Sequence, residues 1–226
     1  MSIVWVGYNR HMKQSSYPRI RPFFFGSFII VSIVLFSFFL YKDFTTPPDV
    51  MQPDFIVSNV TSKKKTDQEK AAYTVPPTYP KNIIIDKLGI AANIIPLGTL
   101  KTGAIDTPKT AWDAGWYSSS AQPGSGGAVV IDGHVNDALN TPGIFYNLHT
   151  LSSGDNIQIQ RGDNTVLNYS VIRVDQTPAN SIDMQKVLSP AESSNEGLNI
   201  ITCGGVYDKK LSTYTDRVVV YAKRVE

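Results

Sequence analysis

The sequence predicts a mostly β domain, a barrel or sandwich of seven or eight strands, with one membrane-spanning helix ahead of it. Three observations carry that expectation. An uncharged run of 18 residues lies near the N-terminus, and such runs read as membrane helices. From about Lys81 onward, short β-branched runs alternate with turns rich in Gly, Pro, Asn and Asp, the pattern of an all-β fold. No long helical apolar period interrupts them.

The apolar run is "FFFGSFIIVSIVLFSFFL", Phe23 to Leu40. As a helix it would be roughly 27 Å long, near the thickness of a bilayer's hydrocarbon core. Tyr41 extends it at the interface, giving an expected span of 23–41. Residues 1–22 carry Arg10, Lys13, Arg19 and Arg21 and no acid, whereas Lys42 is followed by Asp43, Asp49 and Asp54. The positive-inside rule keeps residues 1–22 cytoplasmic and sends the remainder across. A cleaved signal peptide would have a shorter core and a small-residue cleavage site; "YKDFTTPPDV" follows here instead.

Residues 42–80 read as an extracytoplasmic linker. They hold Pro47, Pro48, Pro53, Pro76, Pro77, Pro80 and the cluster "SKKKTDQEK". Prolines stiffen such a segment and lysines keep it solvated. A short helix fits around Asp67 to Tyr73.

The expected globular domain spans 81–226. "NIIID" and "IAANIIPL" are strand runs split by Lys87-Leu88-Gly89, and "GAVVIDGH" is a buried strand that ends in Gly-His. "NIQIQR" and "TVLNYSVIRVDQ" alternate on either side of an "RGDN" turn, and "LNIIT" and "RVVVYAKR" complete the set. Short helical turns fit "TPGIFYNLHTL" and "SIDMQKVLSP". The net charge of +2 gives no footprint for a nucleic-acid partner. Zinc-ligand spacing, a glycine-rich phosphate loop and a fixed-period repeat are all missing, so no cofactor and no metal are expected.

Cys203 is the one cysteine of the chain. It cannot form an internal disulfide, so it is either packing or a nucleophile. An unprotected thiol outside the membrane is open to oxidation, which favours a functional role. A cysteine nucleophile needs a proton acceptor, usually histidine. His11 lies on the cytoplasmic side, and His149 sits in the polar turn "YNLHTLSSGD" and reads as a surface residue. His134 ends "AVVIDGH", where a strand can hand a side chain to a cleft; alone it reads equally as structural or catalytic. Arg217 opens the last strand. An out-and-back hairpin through "GGVYDKKLSTYTD" would bring it beside Cys203, where it could serve an oxyanion. Alone, it reads as an edge-strand arginine paired with Asp216 or Asp208. Together, the three sit at strand ends in the order His, Cys, Arg.

Five segments then match one family in order: "IIIDKLGIAANIIPLG", "GWYSSSAQPGSGGAVVIDGHV", "GIFYNLHTLSSGDNIQI", "LNIITCGG" and "YTDRVVVYAKRV". They cover nearly all of residues 81–226. The domain resembles the sortases, cysteine transpeptidases of Gram-positive cell surfaces. The Gly-Trp-Tyr, Pro-Gly, Gly-His and Cys-Gly-Gly pattern is most similar to class F, or to the related classes E and D. The resemblance implies a closed β-barrel of about eight strands with short helices. It makes Cys203 the nucleophile, His134 the family histidine and Arg217 the family arginine. Thr202 matches the threonine of the T-L-x-T-C signature and is implied to bind substrate. Asn199 and Ile200 depart from that signature's first two positions.

The implied reaction cleaves an LPxTG-like sorting signal between Thr and Gly through a thioacyl-enzyme. The Thr carboxyl is then joined to an amine, from a peptidoglycan precursor or a pilin lysine. The implied partners are secreted proteins with a C-terminal sorting signal, and the implied location is the cell membrane with the catalytic domain outside. Pilin-polymerising sortases usually carry a further C-terminal membrane segment and a lid; this sequence ends at Glu226 after its last strand, which favours protein anchoring. An L,D-transpeptidase is the rival enzyme, but it places its cysteine in a Ser-x-Gly-Cys context, against Ile-Ile-Thr-Cys here. A non-enzymatic surface domain with an incidental buried cysteine is the rival of another class.

Overall fold

The computed structural model describes residues 64–191 and 195–226. The expected membrane span 23–41 lies outside these residues. Among the described residues, no helix is long and apolar enough to cross a membrane.

Eight strands form the domain: β1 (Pro80–Ile85), β2 (Ile90–Leu97), β3 (Ala114–Tyr117), β4 (Gly127–Asp132), β5 (Asn156–Arg161), β6 (Val166–Pro178), β7 (Glu196–Asp208) and β8 (Thr213–Val225). They close into a barrel in the order β1-β2-β3-β4-β7-β8-β6-β5. Closure leaves no open sheet edge. The β2–β3 and β4–β7 pairs are parallel and the other six are antiparallel.

Strand alternation sorts the side chains into two apolar sets. Ile83, Ile94, Trp116, Val129, Ile131, Ile159, Tyr169, Ile200 and Val220 fill the interior and are at most 1% exposed. The opposite face of β4, β7 and β8 carries Ala128, Val130, Ile201, Val219 and Tyr221. That outer face is covered by the β6–β7 connection, which contains the short helix α2 (Met184–Val187) and contributes Val187 and Ala191. Asn199 fastens this cover. Its amide nitrogen donates to the carbonyls of Val187 at 2.7 Å and Ser189 at 2.8 Å.

Helix α1 (Asp67–Ala72) precedes the barrel, with Thr66 and Glu69 in a reciprocal capping box. The expected helix is therefore present, and the end of the stretch read as linker lies against the barrel. Lys65 pairs with Asp113 at 2.9 Å, the Tyr73 hydroxyl donates to the Ile94 carbonyl at 2.9 Å, and the Pro77 carbonyl accepts from the Asp163 amide at 3.0 Å.

Candidate active site

The site is built where β4 ends beside β7. The two strands run parallel, in register from Gly127↔Glu196 to Asp132↔Ile201. Continuing that register sets Gly133 level with Thr202 and His134 level with Cys203. One hydrogen bond holds the extension in place: the Thr202 hydroxyl, 2% exposed, donates to the Gly133 carbonyl at 2.7 Å. On the other side of β7, Cys203 pairs directly with Arg217 in the antiparallel ladder. The thiol thus lies on the middle strand of three, with the histidine to one side and the arginine to the other.

Two expectations change in detail. Cys203 and Arg217 do not end their strands. The β7–β8 hairpin resumes after a register shift between Gly204 and Tyr207 and continues to Asp208↔Thr213. Arg217 is also not an edge residue, because β8 is flanked by β7 and β6. It is 4% exposed, and its guanidinium donates to the carbonyls of Tyr214 at 3.1 Å and Asp216 at 2.9 Å and to the Thr213 hydroxyl at 3.3 Å. These contacts fix the planar fork beside the thiol.

His134 is held from both ends. Its carbonyl accepts from the Phe145 amide at 3.0 Å. Its ring Nε2 lies 2.7 Å from the Pro108 carbonyl oxygen. A carbonyl can only accept, so Nε2 carries the proton and Nδ1 of the neutral ring keeps its lone pair. Gly133 and Gly143 permit this packing. A Cβ on Gly133 would lie 2.5 Å from the Phe145 ring, and one on Gly143 would lie 2.6 Å from the His134 carbonyl oxygen.

Cys203 and His134 both line a cavity of about 740 Å³, with Tyr146, Val206, Tyr207 and Tyr214 among its walls. A second cavity of about 460 Å³ reaches Cys203 alongside Phe145, Thr202 and Val218. Its wall includes His149, which is exposed as its polar turn suggests. No described residue of 64–80 lines either cavity.

The electrostatics define a neutral resting state. Burial pushes the Cys203 thiol up to about 11; the Arg217 charge pulls it down and the Asp132 carboxyl pushes it up. Burial also lowers His134 below its ordinary value, with the Pro108 hydrogen bond opposing. At neutral pH the pair is therefore thiol and imidazole. Asp132 is a residue that the sequence analysis did not single out. It is 4% exposed, and burial raises its carboxyl to about 7. The signal was parity: in "AVVID" it shares a face with Ala128 and Val130, where an acid is unexpected. Among the described residues, no three or more His, Cys, Asp or Glu side chains gather to hold a metal ion.

Comparison with known proteins decides the family. The model of the sortase domain matches residues 83–225. The chain belongs to the sortase family. The members of this family are cysteine transpeptidases. Sortase C-1 from Actinomyces oris aligns with a TM-score of 0.51 and 19% identity, covering 77% of this chain and 88% of that one. The pilus-related sortase C of Group B Streptococcus aligns at 0.51 and 17% identity, covering 78% and 80%. The SrtA sortase from Actinomyces oris aligns at 0.50 and 21% identity, covering 68% and 83%. At these identities the likeness speaks for the sortase barrel. No curated protein matches the chain.

Proposed function

We propose that this sortase is a membrane-anchored transpeptidase that acts outside the cell on LPxTG-like sorting signals. The observation that carries the reading is Cys203, paired across the β7–β8 ladder with Arg217 and sharing the wall of one cavity with His134, which follows the end of β4. Cys203 attacks the Thr-Gly carbonyl. The thiol proton passes to the free Nδ1 of His134, because a thiol near 11 is a poor nucleophile until it is deprotonated. Arg217 stabilises the developing oxyanion. His134, now charged, protonates the leaving glycine amine. The thioacyl-enzyme is then attacked by an incoming amine, which gives its proton to His134, and Cys203 departs.

Thr202 contributes by holding Gly133, and through it His134, at the wall where the signal binds. Asn199, which departs from the family signature, supports the β6–β7 connection over the outer face of β7. The amine belongs to a peptidoglycan precursor, and the role is the anchoring of secreted proteins. The span 23–41 holds the domain beside both substrates, which raises their effective concentration.

The test uses the full chain in detergent micelles with an LPxTG-containing peptide and triglycine. Mass spectrometry should find the peptide–triglycine product and a thioacyl adduct on Cys203, both lost in Cys203→Ala. No product from a folded chain with any sorting-motif variant would overturn the reading.

A further inference from the structure

Asp132 ends β4, the strand that delivers His134, and pairs with Ile201 of β7, two residues before Cys203. Its neighbours on the same face, Ala128 and Val130, belong to the apolar cluster under the β6–β7 connection. A carboxyl in that position is costly when charged. Four groups interact with it. The Gly133 amide donates a hydrogen bond to it, the Arg217 guanidinium attracts its charge, and Asp106 from the β2–β3 connection repels it. The fourth is the Cys203 thiol, which its charge holds in the protonated form.

Arg217 therefore acts on two acidic groups, the Cys203 thiol paired with it on β7 and the Asp132 carboxyl one strand further on β4. Its donors contact Tyr214, Asp216 and Thr213, so the fork stays in place whichever group is ionised. Only its field is shared. A charge on Asp132 offsets part of that field, and a neutral Asp132 releases it.

We propose that Asp132 is a positioning residue that governs how much of the Arg217 field reaches Cys203. When it is charged, the thiol is held protonated; when it is neutral, the field acts in full on the thiolate and on the oxyanion. The two groups titrate as a coupled pair. The proposal rests on the reading of Cys203 as nucleophile, but its test does not need a peptide substrate.

The experiment is the pH dependence of Cys203 alkylation by iodoacetamide, followed by intact mass on the full chain in micelles. Cys203 is the one cysteine, so the carbamidomethyl gained above a Cys203→Ala control at each pH reports it. Asp132→Asn keeps the shape and removes the charge. Its alkylation limb should move to lower pH by about one unit, which is roughly tenfold more thiolate at a given pH on the limb. Asp132→Glu should restore the wild-type limb in part. A second measurement needs no variant: in wild type labelled with ¹³C at Asp carboxyls, the Asp132 resonance should move in two steps, near neutral pH and again as the thiol ionises. Superimposed limbs, or no alkylation of either protein at any pH, would overturn the proposal. So would a carboxyl resonance blind to the thiol. A shifted limb in a protein that makes no peptide–amine product would keep this proposal and reject the transpeptidase reading.

Discussion

The Thr202 hydroxyl donates to the Gly133 carbonyl at 2.7 Å, and this bond ties the end of β4 to the nucleophile's strand. Both atoms are buried, so losing the donor leaves a carbonyl without compensation. Thr202→Val should cost about 1–3 kcal/mol in urea unfolding. Thr202→Ser should keep most of it. If the bond sets the height of His134, turnover of Thr202→Val should fall even where the protein stays folded. Equal turnover in the two variants would limit Thr202 to a role in stability.

Arg217 offers a fork rather than a point charge, so its conservative replacement should be harmful. Arg217→Lys retains the positive charge but cannot reproduce donation to Tyr214, Asp216 and Thr213 together. Peptide transfer should fall by about 10²-fold or more, the usual loss for an oxyanion donor. Wild-type transfer by the lysine variant would assign Arg217 to general electrostatics.

Asp132 makes stability depend on pH in an unusual direction. Its folded-state carboxyl titrates near 7, above the ordinary aspartate range. Between the unfolded and folded values the native protein holds the extra proton, so stability falls as pH rises from about 4 to about 7. The full effect is on the order of 4 kcal/mol. Chemical denaturation across that range should show the fall, and Asp132→Asn should flatten it.

His134 acts with the opposite sign on the acid side. Its ring is lowered below the free value, so the unfolded chain gains a proton first and stability falls as pH drops below about 6.5. The ring resonances should titrate below that value in NMR. A shift to higher pH would mean an imidazolium at rest, paired with a thiolate.

Gly143 lies under the backbone of His134. Gly143→Ala would place a Cβ 2.6 Å from the His134 carbonyl oxygen and 3.2 Å from the Val135 carbonyl carbon. Backbone must move to relieve this, so a loss of about 1–3 kcal/mol is expected in thermal unfolding. Transfer activity should fall with it.

Most of the barrel was legible because period-two runs with β-branched residues cannot hide in a sequence. β3 was not. It is four residues long and contains Gly115, where a Cβ would lie 2.1 Å from the Leu97 side chain. Its strand character comes from close packing against β2, a tertiary fact. Cys203, His134 and Arg217 were legible as residue types at plausible spacing. The pairing of Cys203 with Arg217 was legible too, as an out-and-back hairpin, but the place of His134 beside them was not, because the parallel β4–β7 register is a property of paired strands. Asp132 was visible all along, but one acid after four apolar residues acquires meaning only once its face of the sheet is known.

The alternation along β7 also ties folding to competence. Leu198, Ile200 and Thr202 point inward, while Asn199, Ile201 and Cys203 belong to the outer face. A slip of one residue would exchange the two sets. The thiol would then be sealed in the core, and the Ile200 side chain would stand outside. A misassembled copy of this protein is thus disarmed by its own error: a strand out of step delivers an inert surface rather than a stray nucleophile.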